Sequence, residues 1–210
     1  MQTKILLNKE EKLNVLSHSI GIVFGILGFF LLLTKNLHRT SYASISIITY
    51  SLSLISMFLV STLYHYVTDL KWKNRLQILD HITIYFLIAG TYTPLLLITL
   101  EGENAWSLLA IVWGIAALGT VLKLFYTGKY EFISLLLYVV MGWLIVFDYD
   151  NLLMKSTSRG LNLLFIGGGF YTFGILFYAI DKIPYNHFIW HIFVLGGAFS
   201  HWCLIYFEVV

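Results

Sequence analysis

The stretch VLSHSIGIVFGILGFFLLLT, Val15 to Thr34, contains no Asp, Glu, Lys or Arg. A helix needs about 20 largely apolar residues to cross the hydrocarbon core of a bilayer, and this run meets that length. The residues ahead of it are polar, with Lys4, Lys9, Glu10, Glu11 and Lys12, and no small-x-small cleavage signature closes it. A secretory signal has a shorter apolar core and such a cleavage site. The run therefore reads as a first transmembrane helix that is retained.

The same ruler finds six more runs, at roughly 43–66, 80–100, 105–126, 132–148, 160–180 and 186–207. The loops between them are short and leave no room for a soluble domain. Over the 210 residues, 59% are hydrophobic and only 11% charged, against roughly 25% charged in a soluble domain. The expected fold is thus an all-α membrane protein, one seven-transmembrane helix bundle spanning residues 1–210. A net charge of +2 with no long basic run argues against nucleic acid as a partner. The single cysteine, Cys203, excludes an intrachain disulfide framework and a cysteine-based zinc site. Gly167-Gly168-Gly169 and Gly196-Gly197-Ala198 are small residues of the kind that let helices approach closely in lipid. Pro94 is expected to bend the third span, and Pro184 suits the first turn of the seventh.

Positive charge sets the orientation. With the N-terminus inside, the inner segments carry nine basic residues: Lys4, Lys9, Lys12, Lys71, Lys73, Arg75, Lys123, Lys129 and Lys182. The outer segments carry four: Lys35, Arg39, Lys155 and Arg159. The expectation is a cytoplasmic N-terminus and an outer C-terminus, in a cell-membrane protein.

On that topology the unusual polar residues converge. His18 lies where the first span leaves the inside, and Ser61 and His65 close the second. Asp80 and His81 open the third, and His187 and His191 open the seventh. His187 and His191 are one helical turn apart on one face. Three histidines with a fourth position open are a known solution for catalytic zinc, and His65, His187 and His191 are the expected ligands. Zinc held in this way lowers the pKa of its water to about 7. Asp80 would accept a hydrogen bond from that water or act as its general base. Ser61, one turn before His65 on the same face, reaches the same place. These two are the candidate catalytic residues.

The remaining polar groups read differently. His18 is as consistent with a helix contact as with a functional role. His81 is turned about 100° around the helix from Asp80 and suits a structural or lipid-interface role. His201 lies about 15 Å along the axis from His191, which suits a hydrogen bond in the core. His38, Asp148, Asp150 and Asp181 read as loop charges. Tyr64, Tyr66, Trp72, Trp106, Tyr126, Tyr130 and Tyr149 sit near span ends as interfacial anchors do. No glycine-rich phosphate loop, Ser-His-Asp ordering or nucleotide motif occurs.

Taken together, Glu11-x-x-Asn14-x-x-x-His18, Ser61-Thr62-Leu63-Tyr64-His65, Asp80, Gly90-Thr91-Tyr92-Thr93-Pro94 and His187-x-x-x-His191 with Trp190 resemble the hemolysin III family. That family is a bacterial branch of the progestin and adipoQ receptor superfamily, which also includes adiponectin receptors and alkaline ceramidases. The resemblance covers nearly the whole chain. It implies a seven-helix bundle with an inner zinc site whose ligands match His65, His187 and His191. The superfamily's serine and aspartate near the zinc match Ser61 and Asp80. It also implies membrane lipids as partners, with a lipid amide or ester as substrate.

Three function classes follow. The favoured one is a Zn²⁺-dependent intramembrane hydrolase of lipid amides or esters. A cytolytic pore is the second, although the sequence has no charged lumen stripe and no amphipathic soluble form. The third is a receptor or metal-homeostasis protein in which zinc is structural or sensed.

Overall fold

Asn8, Asp69 and Thr157 each place a side-chain oxygen on the backbone N–H three residues ahead, at 2.8, 3.0 and 3.0 Å. Such caps satisfy donors that the first helical turn leaves free, and they fix where three of the helices start. The structure is a computed structural model that describes residues 8–180 and 182–210. Lys4 and Asp181 lie outside the described residues.

Eight α-helices follow in order: α1 Lys9–Lys35, α2 Ala43–Tyr66, α3 Leu70–Pro94, α4 Glu103–Tyr126, α5 Glu131–Trp143, α6 Tyr149–Lys155, α7 Ser158–Ala179 and α8 Asn186–Leu204. A π-helical turn, Leu95–Leu100, continues α3, and another, Ile205–Val209, continues α8. A 3₁₀ segment, Leu144–Asp148, joins α5 to α6. Counting these continuations, seven helical stretches among the described residues are long and apolar enough to cross a membrane. No strand occurs among the described residues. The chain is a multi-pass membrane protein with the expected all-α architecture.

Several boundaries and contacts differ from the sequence reading. The third span starts at Leu70, not near 80. Leu70 to Leu79 includes Lys71, Lys73 and Arg75, so hydropathy passes over it, but Asp69 caps it and it is helical. Pro94 cannot donate an N–H, and the helix loosens into the π-helical turn directly after it. Pro184 falls in the turn ahead of α8 and not within its first turn. Asp148 is not a solvated loop charge: it is buried and accepts hydrogen bonds from Asn151 (3.1 Å) and Asn104 (3.5 Å). Asp150 is exposed. Lys123, counted above among the inner-segment charges, has no exposure at all and pairs with Glu131 at 2.6 Å.

The helices close into a ring. α1 packs on α2 and α8, α2 on α3, α3 on α4 and α5, α5 on α7, and α7 on α8. The third span is the central one: 72% of its apolar window is buried, against 17% for the sixth. At one end Arg159 pairs with Glu208, Thr157 donates to the same carboxylate at 2.6 Å, and Lys35 donates to the Tyr206 carbonyl. By the alternation of the spans, the start of α1, the end of α2 and the starts of α3 and α8 share the opposite end.

Close approach of α4 to α3 depends on Gly119. A Cβ there would lie 2.4 Å from the Tyr85 ring, which is fully buried. Gly114, on the same helix, would meet nothing within 4 Å. Gly119→Ala should therefore destabilise by about 1–3 kcal/mol through overpacking. Gly114→Ala should be neutral or slightly stabilising, since alanine favours helix. Thermal unfolding in detergent distinguishes them, and equal behaviour of the two variants would refute the packing argument.

Candidate metal centre

His65 sits in the last turn of α2 and His187 and His191 in the first turns of α8. α8 begins after Tyr185, whose φ of 57° turns the chain sharply into the helix. Asn186 then ties that start to α7 by donating to the Phe177 carbonyl at 3.2 Å. The three imidazoles form a nearly equilateral triangle, with ring centroids 5.0, 4.9 and 4.8 Å apart. One ring nitrogen from each lies within 4.8 Å of the other two. His65 and His191 are buried and His187 is partly so.

The donor set suits a metal ion. His65 Nδ1 is taken up by Glu11 Oε2 at 2.5 Å, while its Nε2 is buried without a hydrogen-bond partner. An orphaned buried ring nitrogen is costly, and a cation shared with the two neighbouring imidazoles would relieve it. His191 Nδ1 lies 3.4 Å from the Ser17 hydroxyl, on the side of α1. Neutral imidazoles in a tight group are the ligand type zinc takes.

Ser61 and Asp80, both buried, line the same cavity as the three histidines. All five residues singled out from sequence are thus brought together. The cavity has a volume of about 730 Å³. It runs from the histidines, between α3, α5, α7 and α8, to a deep end formed by Trp143, Gly168, Tyr171, Thr172 and His201. Trp143 donates to Thr172 at 3.1 Å, linking α5 to α7 along this wall. Leu87, Ile88, Leu135, Ile175 and Val194 make much of it apolar.

The other histidines separate cleanly. His18 stacks flat on His191, with centroids 3.6 Å apart and planes 12° from parallel, and is not one of the clustered ligands. Both of its ring nitrogens are buried without partners. His201 bonds the Leu164 carbonyl at 3.1 Å, the core role its depth indicated. His38 is exposed and bonds Asn36 in its loop and Ser44 at the start of α2. His81 lines the cavity near the Lys123–Glu131 pair instead of facing lipid. Of the expected anchors, Tyr66, Trp72, Trp106, Tyr126, Tyr130 and Tyr149 are exposed, whereas Tyr64 lines the cavity.

Sequence reasoning quoted Glu11 and Asn14 only within a family motif, counted Lys73 only as an inner-segment charge and passed over Ser17, yet all four gather around the histidines. Lys73 donates to Glu11 Oε1 at 2.8 Å, and Asn14 Nδ2 lies 3.4 Å from His65 Nδ1. The signal was present in spacing: Glu11, Asn14 and His18 fall at i, i+3 and i+7, which is one helix face.

Comparison with known proteins agrees with this architecture. A family model described as "Haemolysin-III related" matches residues 6–202. The chain is 41% identical to "Hemolysin-3" of Bacillus cereus, over 95% of this chain and 92% of that one. It is 40% identical to "Hemolysin-3 homolog" of Bacillus subtilis (strain 168), over 96% and 95%. It is also 33% identical to "Monocyte to macrophage differentiation factor" of Homo sapiens, over 94% of this chain and 83% of that one. No solved structure matches the chain.

Proposed function

Since the chain belongs to the haemolysin-III related family of the bacterial cell membrane, we propose that it is a zinc-dependent hydrolase of lipid amides or esters. His65, His187 and His191 would hold the ion. The observation that carries this reading is the union, in one cavity, of three clustered histidines, a buried carboxylate and a long apolar chamber. Cavities of this size hold small molecules, apolar walls gripping the body and a few polar groups fixing the orientation. Only nine basic residues against four argue that the site faces the cytoplasmic leaflet.

Zinc held by three histidines supplies Lewis acidity and a hydroxide nucleophile near neutral pH. The chain's own groups do the rest. Asp80 takes up the proton released at attack and returns it to the leaving amine or alkoxide. Ser61, which lines the cavity with Asp80, would donate its hydroxyl to that carboxylate and hold it in one orientation. Leu87, Ile88 and Val194 bind the acyl chain and keep water from it.

The test is fatty-acid release by the reconstituted protein from a panel of ceramides, other N-acyl amides, and glycerolipid esters. Release should stop on chelation and return with Zn²⁺. Zinc bound at one per chain with no release from any lipid would overturn the hydrolase reading. A cytolytic reading is favoured only by the name that two relatives carry. Dye leakage from liposomes given the purified protein, and its persistence in a His187→Ala variant, would favour it instead.

A further inference from the structure

The two oxygens of the Glu11 carboxylate have different partners. Oε2 meets His65 Nδ1 at 2.5 Å, and Oε1 accepts from Lys73 Nζ at 2.8 Å. Lys73 is held in turn by the Tyr64 carbonyl at 3.3 Å and lies over the Tyr64 ring. Three helices contribute: Glu11 is in the first turn of α1, His65 ends α2, and Lys73 opens α3. The side chains are only 21%, 4% and 13% exposed. This is therefore unlike the solvent-swept ion pairs that contribute little.

An ionised carboxylate only accepts hydrogen bonds. Facing one, His65 must carry a proton on Nδ1, and in the neutral imidazole that a metal takes as ligand this leaves the lone pair on Nε2. That Nε2 is the buried atom without a partner. Asn14 also approaches His65 Nδ1, but at 3.4 Å, whichever way its amide is turned. It does not compete with a contact of 2.5 Å.

We propose that Glu11, clamped by Lys73, is a positioning residue for metal binding: it fixes the tautomer and direction of His65. The inference rests on the zinc reading above and adds to it a second layer, drawn from α1 and α3. A metal-bound imidazole commonly donates its other N–H to a carboxylate, and loss of such an outer partner costs about 10–100-fold in metal affinity.

Lys73 makes the inference unusually testable. Glutamine has the size of glutamate but one acceptor oxygen and one donor amide. In Glu11→Gln, Lys73 claims that oxygen and leaves the amide donating to His65 Nδ1. The ring proton is then driven to Nε2, toward the other two histidines. An isosteric substitution thus becomes disruptive. Adding Lys73→Met frees the oxygen to turn toward His65 and restores the original tautomer.

The experiment measures Zn²⁺ affinity by competition with a chromophoric chelator, and the His65 tautomer by ring ¹⁵N shifts in the metal-free protein. Glu11→Gln should lower affinity about 10–100-fold and move the proton to Nε2. The Glu11→Gln/Lys73→Met double variant should regain most of the affinity and the Nδ1–H form. Should Glu11→Gln fold poorly, Glu11→Asp carries the test. It keeps both oxygens one methylene further back and should bind zinc more weakly with unchanged metal-free thermal stability. Affinity of the folded variant within about threefold of wild type, below the range for such partners, would overturn the proposal. So would an unaltered tautomer in Glu11→Gln. If wild type binds zinc and His187→Ala does not, such a result sinks this inference alone. If wild type binds none, the zinc reading falls and takes this one with it.

Discussion

Asp80→Asn is expected to leave zinc bound and to slow lipid turnover by about 10²–10⁴-fold, the usual worth of a positioned acid–base group. The substitution keeps size and shape, and Asp80 is not among the clustered ligand atoms, so the ion has no reason to leave. Asparagine can still accept from the Ser61 hydroxyl, which preserves the local packing around this buried position. What it loses is the ability to take up a proton. Metal content by atomic absorption and fatty-acid release measured on one preparation separate these effects. Full turnover with metal retained would remove Asp80 from the chemistry. Loss of the metal together with turnover would make the carboxylate a ligand instead.

The second large effect is on the metal itself. His187→Ala should reduce zinc content from one per chain to near zero after dialysis. Its loss should exceed the roughly 10–100-fold typical of an outer partner, because one of three direct donors is gone. His187 is the best of the three to replace. His191 is stacked on His18, and His65 is bonded to Glu11, so substitution of either would also disturb packing. His187 is only partly buried, and outside the cluster its ring meets that of Tyr178 at 5.8 Å. Retention of stoichiometric zinc by a folded His187→Ala protein would refute the three-histidine site.

Much of the architecture was legible because the bilayer imposes so strong a rule. Backbone groups in lipid must bond within their own segment, so apolar length reports spans directly, and seven were visible. The site was legible because ionisable groups are rare inside a span and stand out when they recur at one depth. What escaped was set by neighbours distant in sequence. Leu70 to Leu79 looks like a loop by its charges, yet Asp69 caps it into helix. Lys123 looks like a surface lysine, but Glu131, across a turn, lets it be buried. Asp148 reads as solvated, and only the packing of Asn104 and Asn151 against it tells otherwise. Glu11 belongs to the same class: its spacing to Asn14 and His18 marked a face, but its partners His65 and Lys73 come from two other helices.

The contact of α1 with α8 that closes the ring also has a bearing on biosynthesis. His65 is made before the other two members of the triangle, which lie on α8. Until α8 is made, the growing chain therefore offers only one of the triangle's three imidazoles. The complete cluster first exists when α8 has inserted and docked beside α1. Metal capture would thus follow the docking of α8 on α1 and mark chains in which these helices are in place.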